Sequence, residues 1–278
     1  MPVLAIIDCF KKEADISSKE ISGKTLLELI IERLRKVKEI NRIVLAVPDN
    51  ANLTNLYKIS EKEGVALHIA SGFDFYETCS EIADKENANI IVRIKGTDIF
   101  IDPETVDNLI GKIKMYNSDY VIGRGFPRGV APEIITIEAL QKILTLPAKN
   151  RIPANFSDKL FNICFSDAEG IFQKSGLKLK ADHENFSLLE KIYEELYDSG
   201  NTVDTKEAIS LIEKHSLVET PFDSYVDILR DAERILLIGF SSIAHINSVI
   251  NSLEKNISGS KLVVLTNNLK NESFGVPQ

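Results

Sequence analysis

Three cysteines and four histidines are all that the sequence offers for thiol or soft-metal chemistry, and their spacing suits neither. Cys9, Cys79 and Cys164 are far apart, odd in number and form no C-x-x-C pair. That pattern predicts no disulfide framework and no zinc site. His68, His183, His215 and His245 form no H-E-x-x-H, which excludes metalloprotease-type helix chemistry. Chemistry is therefore expected from charged side chains. Arg93 stands in the apolar run Ile90-Ile91-Val92-Arg93-Ile94, where a cation is either a substrate contact or half of an ion pair. Arg128 lies between Pro127 and Gly129, in a rigid turn suited to holding a guanidinium in one place. Asp102, followed by Pro103 and Glu104, has the pattern of a helix N-cap. Asp182 opens a stretch that enters a helix and reads equally as a cap. Gly239-Phe240-Ser241-Ser242 opens a helical pattern whose backbone N–H groups could take an anion. It is not G-x-G-x-x-G, so an ordinary strand–helix turn is expected there.

The elements that must position these residues alternate. Val3–Ile7 is a short continuous apolar run, as in a strand buried on both faces. A polar, irregular stretch follows to Lys24. Leu26, Leu27, Ile30, Ile31, Leu34 and Val37 then recur at helical spacing. The pattern predicts strands at 42–47, 66–70 and 89–94. Helices are expected through Leu53, Leu56 and Tyr57 as far as Gly64, around Ile82 and Ala83, and after Asp102. Strands are expected again at 119–123 and 133–137, with a short helix through Leu140 and Leu144. Residues 145–178 read as irregular and 178–182 as a late strand. Helices follow through Phe186–Leu196 and Ile209–Ile212. Alternating strands and helices argue for an α/β three-layer sandwich with a mostly parallel, mixed sheet. Ligands in such sheets sit beyond the carboxyl ends of the strands, so the loops after residues 7, 47, 94 and 182 are the places to search. The tail reads as one further βαβ unit, with strands at 235–240 and 261–266 and a helix over 243–254. The division expected is 1–219 and 220–278, at the link Thr220-Pro221-Phe222; a unit this small buries too little surface to stand alone, so it must pack on the main body, pair with another chain or begin a truncated Rossmann-like domain.

The 278 residues carry 44% hydrophobic and 27% charged side chains, the range of an ordinary globular chain. A net charge of −8 argues against general binding to nucleic acid or anionic membranes, which need positive fields. It leaves room for a local basic pocket. No apolar run reaches the ~18–20 residues that span a bilayer, and the N-terminus lacks a signal-peptide core. A cytoplasmic protein is expected.

The order of segments resembles the cytidylyltransferases of the spore-coat polysaccharide type, relatives of CMP-Kdo synthetase with the nucleotide-diphospho-sugar transferase fold. The resemblance covers roughly residues 3–219. It rests on Leu27-Glu28-Leu29-Ile30-Ile31-Glu32-Arg33-Leu34 and on Ile91-Val92-Arg93-Ile94-Lys95-Gly96 followed by Ile101-Asp102-Pro103. It rests also on Phe126-Pro127-Arg128-Gly129 with Glu133, and on Asp182 with Glu184-Asn185-Phe186. The resemblance implies attack of a sugar or sugar-acid hydroxyl on the α-phosphorus of CTP, with pyrophosphate leaving. It implies Mg²⁺ held by Asp98 and Asp182, and nucleotide contacts from Asp8, Lys19, Gly96 and Thr97. It further implies that the catalytic residues are Lys19, which with Asp98 and Asp182 would handle Mg²⁺ and the phosphates, and Arg93 and Arg128, which would hold the sugar. A homodimer is compatible with it.

The sequence departs from that family most in the loop after the first strand, where the family has arginines, glycines and a lysine. Here Asp8-Cys9-Phe10-Lys11-Lys12-Glu13-Ala14-Asp15-Ile16-Ser17-Ser18-Lys19 retains only Lys19 in type and place. Its three lysines are offset by Asp8, Glu13 and Asp15, leaving no net charge. One charge pair at ~4 Å and an effective dielectric of ~20 is worth roughly 4 kcal/mol before desolvation, so exchanging an attraction for a repulsion is costly. The family's Gly-Asp becomes Gly96-Thr97-Asp98, with the acid one residue late. A further family acid is Ala131 here, and a family arginine is Thr78. Two functions follow. One is a diverged sugar nucleotidyltransferase serving surface polysaccharide synthesis. The other is an inactive relative that binds sugar nucleotides or a partner. Family resemblance favours catalysis, and the neutral loop favours its loss.

Overall fold

The computed structural model describes residues 1–10, 19–49, 53–72, 74–148, 151, 160–183, 185–197 and 202–214, and the backbone of 234–239 and 261–266. The chain divides into two compact units, Met1–Leu217 and Val218–Gln278.

The first unit is built on a seven-stranded sheet of order β5-β4-β1-β6-β8-β7-β9. The strands are β1 (Val3–Asp8), β4 (Arg42–Pro48), β5 (Ala66–Ala70), β6 (Ile90–Lys95), β7 (Tyr120–Arg124), β8 (Glu133–Thr136) and β9 (Ile163–Asp167). A separate two-residue hairpin joins β2 (Glu20–Ile21) to β3 (Lys24–Thr25). Its loop, Ser22-Gly23, has φ of 53° and 76°. That is the left-handed pairing a tight hairpin turn needs. The helices are α1 (Leu26–Leu34), α2 (Leu53–Glu63), α3 (Phe75–Glu86), α4 (Pro103–Met115), α5 (Ile137–Leu144), α6 (Phe186–Leu196) and α7 (Thr205–Lys214). Strands β1, β4, β5 and β6 run parallel, and β8 alone is antiparallel to its neighbours β6 and β7. This is the mixed, mostly parallel sheet that the sequence pattern implies.

Each face of the sheet carries its own apolar cluster. Val3, Ala5 and Ile7 pack with α1, α4, α6 and α7 on one side, and Leu4 and Ile6 pack with α3 and α5 on the other. A central parallel strand covered on both faces must be apolar at every position, which is why Val3–Ile7 shows no alternation. The helix starts are chemically marked. Thr25 and Glu28 form a reciprocal capping box on α1, and Asp102 accepts from the Thr105 N–H at 2.8 Å, with Pro103 at the first helical position.

Three expectations change. The 145–178 stretch contains β9, an edge strand whose Phe165 faces out while Ser166 is buried, so apolar patterning does not reveal it. Residues 178–182 make a single parallel bridge, Arg128 with Lys178, rather than a strand. In α2, Leu56 is buried as its spacing implies, but Tyr57 is 47% exposed and Ile59 is the second buried residue. In the second unit β10 (Arg234–Gly239) and β11 (Lys261–Thr266) pair in parallel. The helix expected over 243–254 and the Gly239–Ser242 turn beyond Gly239 lie outside the described residues. Among the described residues no helix is long and apolar enough to cross a membrane.

Candidate active site

The chain passes from β1 outward to β4 and β5, then returns to place β6 on the other side of β1. The carboxyl ends of β1 and β6 therefore flank the crevice where connections diverge, the place such sheets bind ligands. The two ends touch. Gly96 N–H donates to Asp8 O at 2.8 Å, and a Cβ on Gly96 would lie 3.3 Å from Cys9 Sγ. Most of the loop that leaves β1, residues 11–18, lies outside the described residues, so its charge balance is a property of sequence alone.

Asp8 and Arg93 share one face of the sheet with Lys95, which stands opposite Asp8 in register. Arg93 Nε and Nη2 donate to Asp8 Oδ2 at 3.1 and 2.7 Å, and Nη1 donates to Glu133 Oε2 at 3.1 Å. The other Asp8 oxygen accepts from the Phe10 N–H at 3.0 Å. The guanidinium also lies 4.1 Å above the Phe75 ring. Burial opposes its charge, but Glu133 and Asp8 more than compensate and raise its pKa. Arg93 is thus half of an ion pair, and Asp8 anchors it. Burial also pushes up the Tyr76 and Tyr120 phenols and the Cys79 thiol beside it. None of these three is a ready nucleophile or base.

The turn after β6 holds Gly96, Thr97 and Asp98. Asp98 Oδ2 accepts from the Lys95 N–H at 3.1 Å, and Asp98 N–H donates to Lys95 O at 3.0 Å. Thr97 is buried, and its hydroxyl makes no hydrogen bond among the described residues. The turn residues after it are held carbonyl by carbonyl. Tyr193 Oη donates to Ile99 O, Thr205 Oγ1 to Phe100 O and Arg33 Nη1 to Ile101 O, at 3.3, 3.2 and 3.3 Å. Arg33, 2% exposed, also donates to Tyr193 Oη, Thr205 Oγ1 and Val203 O. One buried guanidinium on α1 thereby ties α6 and α7 to the segment that follows Asp98.

Asp182 reaches the same turn from the far end of the chain. Ala181 N–H donates to Thr97 O at 2.8 Å. Asp182 Oδ1 accepts from the Asn185 N–H at 3.1 Å, Asn185 Oδ1 accepts from the Asp182 N–H at 2.9 Å, and Lys178 forms an ion pair with Asp182. The carboxylate therefore closes the turn into α6. Arg128 is exposed on the β7–β8 loop, bridged to Lys178. Lys19 is exposed with its ammonium 4.5 Å above the Phe186 ring, at the start of α6. Thr97, Asp98, Asp182, Arg128 and Lys19 thus lie around residues 177–186, while Asp8 and Arg93 form a separate ionic cluster on the α3 side. Lys95, Lys178 and Lys180 are cations at the crevice that sequence reasoning passed over. The alternation Lys178-Leu179-Lys180-Ala181-Asp182 was a legible signal for the last two.

The sequence matches the cytidylyltransferase family over residues 18–243. It is 22% identical over 233 residues to an uncharacterised protein of Methanocaldococcus jannaschii, covering 79% of this chain and 93% of that one. It is also 22% identical to the spore coat polysaccharide biosynthesis protein SpsF of Bacillus subtilis, covering 71% of this chain and 87% of SpsF. Among solved structures, a cytidylyltransferase from Leptospira borgpetersenii superposes with a TM-score of 0.68 at 20% identity, covering 78% of this chain and 95% of that one. CMP:2-keto-3-deoxy-manno-octonic acid synthetase complexed with CTP superposes at 0.52 and 13% identity, covering 70% and 99%.

Proposed function

Since the chain belongs to the cytidylyltransferase family, we propose that it activates a sugar or sugar acid with CTP for surface polysaccharide synthesis. The hydroxyl oxygen of the acceptor attacks the α-phosphorus, the bond from that phosphorus to the β-phosphate oxygen breaks, and pyrophosphate leaves. The observation that carries the reading is the contact of the β1 and β6 ends at Gly96, with Asp98 and Asp182 tied beside it through the Ala181–Thr97 hydrogen bond. The names of SpsF and of the octonic acid synthetase support a sugar-type acceptor.

Magnesium belongs to the same proposal. Asp98 and Asp182 are hard oxygen donors, and Mg²⁺ commonly takes one or two carboxylates and completes its shell with substrate phosphates and water. The pair fits that demand, although among the described residues no group of three or more such ligands exists. When bound, the ion would neutralise charge on the phosphates as pyrophosphate departs. The protein's own part is positioning. Gly96 lets the β1 and β6 ends meet closely, and the Arg33 network fixes the segment behind Asp98.

The test is pyrophosphate release from CTP across a panel of sugars and sugar acids, with and without Mg²⁺. The expected outcome is Mg²⁺-dependent release with at least one acceptor. Tight CTP binding with no release for any acceptor would replace this reading with that of a sugar-nucleotide-binding module.

A further inference from the structure

Lys95 is the last residue of β6, at the point where the β1 and β6 ends meet. It stands opposite Asp8 in register, on the sheet face that also carries Arg93. Its backbone is clamped on both sides of the residue's own peptide units. Lys95 N–H donates to Asp98 Oδ2 at 3.1 Å, and Lys95 O accepts from the Asp98 N–H at 3.0 Å. The neighbouring strand β8 begins at Glu133, opposite Arg93, and so does not run alongside Lys95. The side chain is half-buried, yet among the described residues no carboxylate forms an ion pair with its ammonium group. The two acids of this face are engaged elsewhere. Asp8 accepts from Arg93 through one oxygen and from the Phe10 N–H through the other. Glu133 accepts from Nη1 of the same guanidinium. A half-buried charge without an ion pair opposes folding, and costs of that kind are typical of groups kept for a ligand.

We propose that Lys95 is an anion-binding residue of the crevice and contacts the triphosphate of the nucleotide. That the polyanion belongs to CTP rests on the cytidylyltransferase reading. The loop from Asp8 to Lys19 carries no net charge, so a polyanion entering between the β1 and β6 ends needs a cation from another element. Lys95 supplies one from the strand itself. Its ammonium offers up to three charge-assisted donors, and its Cα is fixed by the Asp98 turn, so only the four-carbon stem is ordered on binding. Gly96, the next residue, donates its N–H to Asp8 O at 2.8 Å, which seats Lys95 directly at the strand junction.

Inorganic tripolyphosphate and CTP are the probes, titrated calorimetrically at low salt, with and without Mg²⁺, into the full-length protein and into Lys95→Gln and Lys95→Met. Lys58→Gln, exposed on α2, controls for net charge. Both Lys95 variants are expected to weaken tripolyphosphate and CTP binding about tenfold, and the control to leave both unchanged. Melting temperature without ligand separates a binding role from a structural one. Lys95→Met is expected to melt no lower than the parent, since the substitution removes a charge that has no ion pair and keeps an apolar stem. A lower melting temperature with unchanged affinities overturns the proposal and assigns Lys95 to the Asp8–Arg93–Glu133 cluster. Unchanged affinity for both probes overturns it at any melting temperature, as does failure of the parent to bind tripolyphosphate. Tripolyphosphate binding that depends on Lys95, in a protein that releases no pyrophosphate from CTP, keeps this site and removes the transferase reading. Mg²⁺-dependent release that persists undiminished in Lys95→Gln, with unchanged CTP affinity, does the reverse.

Discussion

Arg93 has three of its N–H groups committed to two carboxylates and its flat face to an aromatic ring. A substrate would have to compete with all of them, so its first role is to neutralise Asp8, which is 4% exposed. Replacing it with methionine keeps the stem but strands a buried carboxylate. Arg93→Met is expected to lose about 3–5 kcal/mol of unfolding free energy, read by chemical denaturation. Adding Asp8→Asn should recover part of that loss. A variant with native stability but no activity would instead make Arg93 a substrate ligand. Arg33 shows the contrasting solution. It is buried with no carboxylate partner among the described residues, and carbonyl and hydroxyl oxygens take its donors. Charge on that guanidinium is tolerated because the hydrogen bonds are to fixed dipoles.

At the scale of elements, the crevice is made by two loops and one irregular segment brought against the ends of regular strands. Gly129 decides whether the segment 177–181 can dock on the β7–β8 loop. Its φ of 93° lies where side-chain-bearing residues are strained, and the neighbouring Lys180 backbone leaves no room for a methyl group. Gly129→Ala is expected to destabilise the fold by about 1–3 kcal/mol and to weaken CTP binding, as the segment that carries Asp182 is displaced. Denaturation and a CTP titration together check this. A stable variant with unaltered CTP affinity would mean that the segment is held by Asn185 and Thr97 alone. The β2–β3 hairpin has a related purpose at the other end. It follows Lys19 directly, and Leu26 N–H donates to Lys19 O at 3.1 Å, so the lysine is tethered to the start of α1.

At the scale of the molecule, the first unit carries every residue placed in the crevice, while the family match runs on to residue 243. The first unit has apolar clusters on both sheet faces and does not depend on β10 or β11 for any strand pairing. A chain ending at Leu217 is therefore expected to unfold cooperatively and to retain Mg²⁺-dependent pyrophosphate release from CTP. Thermal unfolding and the release assay test this side by side. A soluble fragment that melts without a sharp transition would assign the second unit a part in stability. A folded but inactive one would give it a part in catalysis.

The sequence by itself determined the alternation of strands and helices, the cap at Asp102, and the family. Those signals are local, since burial on both faces makes a strand apolar throughout and a helix start needs an oxygen within three residues. Composition also revealed that the loop from Asp8 to Lys19 carries no net charge. Tertiary structure decided which charges meet. Arg93 was ambiguous until Asp8 and Glu133, 85 and 40 residues away, were seen to bracket it. Likewise β9 is an edge strand with Phe165 outward, and only its pairing with β7 defines it. Lys178 and Lys180 read only as part of a late strand, and the bridge to Arg128 and the bond from Ala181 to Thr97 set their segment beside the crevice. Electrostatic interaction depends on distance through space, and separation along the chain carries no information about it until the backbone is closed.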